Sequence, residues 1–398
     1  MWQARLRWPR RQESSARMSS PVTPPLPVPL DGMAHSVAVD VLLNGPLSRK
    51  QLATRLRISP GSVTRVVKPL VESGLLVELA PVPTAGMGRP EEPLDTELRR
   101  DFYVGVKITE TAIHAVVTTL RAQVVAETTH PLASLEPAEV AQDVATVIAE
   151  LAQRGYAVRA AGVSLGGPVT AEGWVSGAPL LGWYSVDFGA LLRPLLNIPL
   201  VVDNDLLALV RAEKWFGAAK SYDHFALLTI GSGVGYGLVV GGRILEGPDA
   251  GLSTIAHLPL DIGGGVCAQG HTGCAETILT TPALLGRARL ALGDSITHEQ
   301  LLARAPSNPA AAAIVETAAF ALGKLIASIA SVAMPHKIIL TGDGIGLAIA
   351  GAAALQRGIE AHRDQRAAPI DLEVQVIGFT EWARGAAVSA IETFVVGR

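Results

Sequence analysis

Residues Pro46–Val71 read PLSRKQLATRLRISPGSVTRVVKPLV, and this stretch decides what the first part of the chain builds. Ser48 followed three residues later by Gln51 is a capping box, so a helix opens there, with Leu52, Ala53 and Leu56 facing inward. Ser59 is the N-cap of the next helix, and Pro60 fills its first position, where a missing N–H costs nothing. Val63, Val66, Val67, Leu70 and Val71 then form one apolar stripe at helical spacing. The opposite face carries Gly61, Ser62, Arg65 and Lys68, with Thr64 beside them. Small polar residues let a helix approach base edges, and cations behind them meet phosphates. Ser59, Gly61, Ser62, Thr64, Arg65 and Lys68 are therefore candidate DNA contacts.

Working outward, Met33–Leu43 has helical periodicity and stops at Asn44-Gly45-Pro46. A strand is expected over Leu75–Leu79, then a turn at Gly88-Arg89-Pro90. The pair reads as a wing, with Arg89 at its tip in reach of phosphate or the minor groove. A winged helix-turn-helix is thus expected over residues 32–95. A small helical bundle that binds protein has the same three-helix pattern, so charge has to discriminate. The chain carries a net charge of −3, yet residues 1–95 hold twelve Arg and Lys against eight Asp and Glu, a balance of +4 that leaves −7 for the remainder. Residues 46–70 hold Arg49, Lys50, Arg55, Arg57, Arg65 and Lys68 and no acidic residue. A basic patch on an otherwise acidic chain favours nucleic acid as the partner.

The flanks bound the setting. Pro21–Pro29 holds five prolines, and residues 1–31 are expected to form a disordered tail. Trp2–Arg17 is basic but lacks the apolar core of a secretory signal. No apolar run reaches the roughly 18 to 20 residues of a membrane span, so a soluble cytoplasmic protein with no membrane partner is expected. Cys267 and Cys274 are the only cysteines, too few for a disulfide framework.

From Asp101 the pattern changes. Phe102–Lys107, Ala112–Thr118 and Ala122–Thr128 read as a three-strand meander followed by a helix over Pro137–Gln153. A similar order recurs at Phe225–Ile230, Gly233–Val240 and Gly242–Leu245. Two such units suggest the duplicated lobes of an actin-like ATPase fold with a ligand cleft between them.

From about Met33 to the C-terminus the chain resembles the repressor/ORF/kinase (ROK) family, in its regulator branch. The motifs that carry this are Leu47-Ser48, Gly88-Arg89-Pro90, Ala178-Pro179-Leu180-Leu181-Gly182-Trp183, Val202-Asp203-Asn204-Asp205, Gly231-Ser232-Gly233-Val234-Gly235 and the segment Cys267–Glu276. The resemblance implies an α/β chain: a winged helix-turn-helix at 32–95, then a two-lobed sugar-kinase-like domain at 96–398. The first lobe would span about 101–205 plus a returning C-terminal helix at 381–395, and the second about 206–380.

The resemblance also lets the chemistry be asked residue by residue. Family kinases open the first lobe with an Asp-x-Gly-x-Thr-like loop for phosphates and Mg²⁺. This chain has Lys107-Ile108-Thr109-Glu110-Thr111 there. Lysine cannot hold Mg²⁺, and Glu110 repels a nucleotide, so phosphoryl transfer is not expected and no ATP is required. Gly231–Gly237 and Thr341-Gly342-Asp343-Gly344 serve either as phosphate cradles or as tight turns, and the loss of the first loop favours turns. Asp205 matches the family's catalytic base. In a sensor it still accepts a hydrogen bond from a sugar hydroxyl, while Asn204-Asp205 equally suits a helix N-cap.

His257 and Glu276 match sugar-contacting positions, but a family Glu is Thr254 here and a Gly is Ala256. The pocket would suit a modified, shorter or phosphorylated sugar as well as a simple hexose. The family's zinc site retains His257, Cys267 and Cys274, with Gln269 in place of the middle cysteine. Structural zinc takes four ligands, so a zinc here would need His271 or water, or the site is empty.

The expectation is a sugar-responsive DNA-binding regulator, more in keeping with a repressor than an activator. Its candidate effector contacts are Asn204, Asp205, His257 and Glu276. Its partners are a sugar or sugar phosphate, an inverted-repeat operator and further copies of itself as a homodimer or homotetramer. The alternatives are an active sugar kinase with a DNA-binding appendage and a protein-interaction scaffold.

Overall fold

The structure, a computed structural model, describes residues 30, 32–82, 90–98, 100–247 and 249–397. The expected tail lies almost wholly outside the described residues, and so do Gly88 and Arg89 of the wing.

Three helices come first: α1 (Gly32–Asn44), α2 (Arg49–Leu56) and α3 (Pro60–Glu72). The capping box forms: the Ser48 hydroxyl accepts from the Gln51 N–H, and Gln51 Oε1 accepts from the Ser48 N–H at 2.7 Å. Ser59 caps α3 by accepting from the Ser62 N–H at 3.1 Å. Val37, Val41, Leu52, Val63, Val67 and Leu70 bury themselves together with Leu76 and Leu94. Leu76 lies in β1 (Leu76–Glu78) and Leu94 in β2 (Leu94–Thr96), which pair antiparallel. A Val82–Glu91 bridge extends this hairpin towards residues 83–89.

The next sheet uses β3 (Phe102–Ile108), β4 (Ala112–Thr118), β5 (Val124–Pro131), β6 (Val158–Leu165) and β9 (Leu200–Asn204). Helix α4 (Pro137–Gln153) crosses over to β6, and a ribbon of β7 (Trp174–Ala178) and β8 (Trp183–Asp187) leads through α5 (Phe188–Leu192) to β9. The order is β5-β4-β3-β6-β9, with β6 and β9 parallel to the meander's first strand. Helix α6 (Asp205–Phe216) leads to β10 (Phe225–Ile230), β11 (Val234–Val240) and β12 (Arg243–Ile244). Then come α7 (Ala275–Leu279), α8 (Thr281–Leu292), α9 (His298–Arg304) and α10 (Pro309–Val332). The chain ends with β13 (Lys337–Thr341), α11 (Gly346–Ala350), α12 (Ala352–Ala361), β14 (Leu372–Val374), α13 (Phe379–Ile391) and a last turn over Glu392–Val396. The second sheet runs β12-β11-β10-β13-β14, with β13 and β14 parallel to one another and to β10. Each unit is thus a meander followed by two parallel strands, which is the duplication expected from the sequence.

Three details differ from expectation. Strand β5 starts at Val124 rather than Ala122, because Ala122 takes a φ of 54° in a turn closed by its N–H to the Thr119 carbonyl. Strand β12 is only two residues, because Gly241 and Gly242, both at positive φ, make the tight turn that precedes it. Helix α10 runs 24 residues and contains an 18-residue stretch with a mean hydropathy of 1.6, so by length and composition it is apolar enough to cross a membrane. The sequence reading missed this because Glu316 and Lys324 interrupt the run. Ile314, Leu322, Leu325, Ile326 and Ile329 bury it at the centre of the second lobe's core, beside Ile338 and Leu340 of β13.

The last helix returns to the first sheet. Ala383, Ala386, Ala387 and Ala390 of α13 are fully buried, and the helix lies on β3 and β6 at Gly105 and Gly162. Beyond it, Val395 and Val396 join Leu42 of α1, Trp215 of α6 and Tyr103 in one cluster that seats the winged helix on the larger domain. His35 Nδ1 bonds the Val396 carbonyl at 2.8 Å, and Arg121 reaches the Val41 and Leu42 carbonyls and pairs with Asp95 at 2.5 Å.

Candidate functional site

Helix α3 offers one free face. Val63, Val67 and Leu70 point into the core, while Ser59, Gly61, Thr64, Arg65 and Lys68 are exposed and Ser62 is half-buried. The basic patch is smaller than the count of cations suggested. Arg55 folds back onto Asp40 of α1 through Nε at 2.8 Å and a terminal nitrogen at 2.7 Å. Arg49 pairs with Glu78 of the wing. Lys68 lies 3.8 Å from Glu72 in an exposed pair, too weak to hold it from another partner. Lys50, Arg57 and Arg65 make no ion pair among the described residues. The cations left for phosphate therefore flank α3, with Arg65 at its centre.

Between the two sheets lies a cleft of about 320 Å³. Asn204 and Asp205 stand on its floor at the start of α6. Asn204 is the N-cap: Oδ1 accepts from the Leu207 N–H at 3.0 Å, and its amide donates to the Gly167 carbonyl at 2.9 Å. Asp205 accepts from the Leu206 N–H at 2.7 Å through Oδ1, while Oδ2 is paired with the buried ammonium of Lys107. Lys107 Nζ also lies 5.5 Å from the centre of the Trp382 ring, within cation–π range. Trp382 and Phe379, from the first turns of α13, wall this end of the cleft.

At the other end, the glycine turn Gly231-Ser232-Gly233 is covered by a carboxylate. A Cβ placed on Gly231 would lie 1.6 Å from Asp343 Oδ1, and Ser232 Oγ donates to Asp343 Oδ2 at 3.3 Å. The Asp343 carboxyl therefore fills the space that a side chain on residue 231 would take, against the glycine turn.

His257 and Glu276 do not line this cleft. They lie with Cys267 and Cys274 in a separate group whose nitrogen, sulfur and oxygen donors all fall within 4.8 Å of one another. His257 Nδ1 is 3.4 Å from Glu276 Oε2 and 3.8 Å from Cys267 Sγ, and His271 Nδ1 is 3.5 Å from the same sulfur. Glu276 Oε2 is buried with no hydrogen-bond partner among the described residues. The knuckle that brings the cysteines together needs Gly273, at a φ of 61°, because a Cβ there would lie 1.5 Å from the Asp261 carbonyl oxygen. One imidazole, two sulfurs and a carboxylate oxygen that makes no hydrogen bond among the described residues suit a tetrahedral zinc, so the residues fit the metal, with Glu276 at the place sequence reasoning gave to His271 or water.

Reading the sequence also missed Trp382, Phe379 and the Asp343–Gly231 contact. Each spans more than a hundred residues of chain, and only the two glycine turns, 231–237 and 341–344, carried a local signal.

Residues 103–392 match the ROK family profile, and residues 41–77 match a winged helix-turn-helix DNA-binding profile. The chain is 24% identical over 251 residues to a xylose repressor of Bacillus subtilis, an alignment covering 62% of this chain and 65% of that one. It therefore spans about two thirds of that relative's length. With the DNA-binding transcriptional dual regulator NagC of Escherichia coli it shares 27% identity over 327 residues, covering 78% and 80% of the two chains. A crystal structure of a ROK family transcriptional regulator, homologous to the E. coli Mlc protein, superposes with a TM-score of 0.76 at 23% identity, covering 90% of this chain and 96% of that one.

Proposed function

The chain belongs to the ROK family, and from that premise we propose that it is a sugar-responsive DNA-binding transcriptional regulator of carbohydrate genes, acting as a repressor. The observation that carries this reading is the seat of the winged helix: its α1 packs on the C-terminal turn and on α6, the helix whose first residue stands in the cleft. The reading divides the chain into a tail at 1–31, the winged helix at 32–95 and the ROK domain at 96–398, with a first lobe of about 101–205 plus 381–395 and a second of about 206–380.

In this reading Ser59, Gly61, Ser62, Thr64, Arg65 and Lys68 meet operator DNA, and Arg89, outside the described residues, reaches it from the wing. Asn204 and Asp205 meet the sugar directly. His257 and Glu276 shape the loop beside it while holding zinc with Cys267 and Cys274; metal analysis of the purified chain, with Cys274→Ser as control, checks that assignment. The chain works in the cytoplasm as a homo-oligomer on an inverted repeat. The sugar shifts the population between two lobe arrangements, so it must bind them with different affinity.

No phosphoryl transfer is part of this function. A base must be free to take the sugar's proton, and Oδ2 of Asp205 is engaged by Lys107. Phosphoryl transfer rests on positioning and charge neutralisation, and Glu110 and Asp343 put two carboxylates in the cleft where phosphates would lie. The kinase alternative requires ATP turnover with a sugar, abolished by Asp205→Asn.

A gel shift tests the regulator reading. The purified chain is expected to retard a fragment from upstream of its own gene at physiological salt. Arg65→Ala is expected to weaken operator binding and to lower the slope of its salt dependence by about one while its melting curve stays in place. Equal binding by both proteins, or none by the wild type, contradicts it.

A further inference from the structure

The most buried guanidinium of the described residues lies between the cleft and the winged helix. Arg211, in the middle of α6, is 1% exposed and holds three carboxylates. One terminal nitrogen meets Asp203 Oδ2 at 2.5 Å, the other meets Glu246 Oε1 at 2.5 Å, and Nε meets Glu392 Oε2 at 2.9 Å. Ser389 of α13 donates to the same Asp203 oxygen at 2.8 Å.

These carboxylates come from three different places. Asp203 is at the end of β9, its other oxygen accepting from the Asn204 N–H at 2.8 Å, directly beneath the cleft floor. Glu246 follows β12 and leads the segment whose Gly251 and Ser253 line the cleft, Gly251 packing against the Asn204 amide. Glu392 opens the terminal turn whose Val395 and Val396 contact Leu42 of α1. Helix α6 joins the same two ends: Asp205 stands in the cleft, and Trp215 sits in the cluster under the winged helix. Its 12 residues span about 18 Å as a rigid rod.

Guanidinium chemistry makes this arrangement directional. Its donors form a fixed planar fork and it stays charged, so it cannot turn towards one carboxylate without weakening its hold on another. Asp203 and Glu392 are mostly enclosed, whereas the Glu246 side chain is 46% exposed. A shift of Glu246 changes the guanidinium's hold on Asp203 and on Glu392, the residue that opens the turn beneath α1.

We propose that Arg211 is a positioning residue that couples the cleft segment, through Glu246, to the seat of the winged helix, through Glu392. This rests on the cleft and the winged helix being the two sites of the proposed regulator. It is tested without ligand or DNA, so its failure is separate from failure of that reading, which the gel shift decides.

The experiment is hydrogen–deuterium exchange with peptide-level mass spectrometry on the full chain, comparing wild type, Glu246→Gln and Arg211→Lys. Glu246→Gln removes one half-exposed charge and is expected to leave the fold intact. Opening of the coupled segment should raise exchange at least about threefold in peptides covering 32–44 and 392–397, with peptides of α8 and α10 unchanged. Arg211→Lys, which keeps the charge but loses the fork, should do the same or more. An ion cluster with only a local structural role would confine the change to 203–216, 243–253 and the turn that Glu392 opens, and leave 32–44 unchanged. That outcome, or no change in Glu246→Gln, overturns the proposal, whatever Arg211→Lys does to folding.

Discussion

Gly162→Ala is expected to detach α13 from the first sheet and to destabilise the ROK domain by about 3 kcal/mol or more, at the upper end of what overpacking costs. A Cβ on Gly162 would stand 1.8 Å from the Ala386 carbonyl oxygen and 2.6 Å from its carbon, and on the neighbouring strand a Cβ on Gly105 would stand 1.9 Å from the Ala383 oxygen. These neighbours are backbone atoms, so no side chain can swing away, and relief requires the whole helix to lift. Helix α13 is built for that closeness, presenting alanines 383, 386, 387 and 390 to the sheet. Because it runs directly into the turn that seats α1, DNA binding should fail along with stability. Differential scanning calorimetry reads the effect as a fall of roughly 5 °C or more in the transition of that domain. Gly286→Ala is the control: it is an exposed position within α8 where a Cβ meets nothing within 4 Å, so it should be neutral or slightly stabilising. An unchanged melting temperature in Gly162→Ala would show that α13 is not packed as described.

Arg211→Met should cost about 3–5 kcal/mol near pH 8, because it leaves buried carboxylates without their counter-charge. Its pH dependence separates charge from packing. Burial holds the Glu392 carboxyl above the ordinary carboxylate range, against the downward pull of Arg211 and Lys214. Removing Arg211 raises it further. A carboxyl whose folded pKa exceeds its unfolded value penalises folding when ionised. The penalty is absent below the unfolded value, grows as pH rises from the unfolded value to the folded one, and is complete above it. Urea unfolding of the variant should therefore show its largest deficit at pH 8 and a clearly smaller one near pH 5. The same deficit at both values would mean that lost packing, and not stranded charge, explains it.

Local chemistry is what the sequence made legible. The capping box at Ser48 and Gln51, the Ser59-Pro60 start and the stripe of α3 lie within a few residues of one another, and each formed. The two meanders were readable because short apolar strands alternate with short turns, polar in the first and glycine-rich in the second, and the sheet order confirms the duplication. Lys107 was recognised as a departure, but its pairing with Asp205 lies 98 residues away and has no periodic signature. Arg55 was one of the six cations counted in the basic patch, and α1 places Asp40 beside it. Asp343 over Gly231 and Arg211 among three carboxylates are products of tertiary packing, where charges meet because whole elements cross. Glu276 was read as a sugar contact, and only the fold of the 257–276 segment brings its carboxylate to the cysteines.

The central claim is that one chain reads DNA and reports a sugar. Genomic binding-site selection with the purified full-length protein tests it most directly, run without ligand and then with D-xylose, D-glucose, N-acetyl-D-glucosamine and their phosphates. The account predicts enrichment of an inverted repeat near carbohydrate genes, with occupancy changed severalfold by one of these sugars. Absence of any enriched sequence under every condition, or an enriched sequence indifferent to all of them, would contradict it.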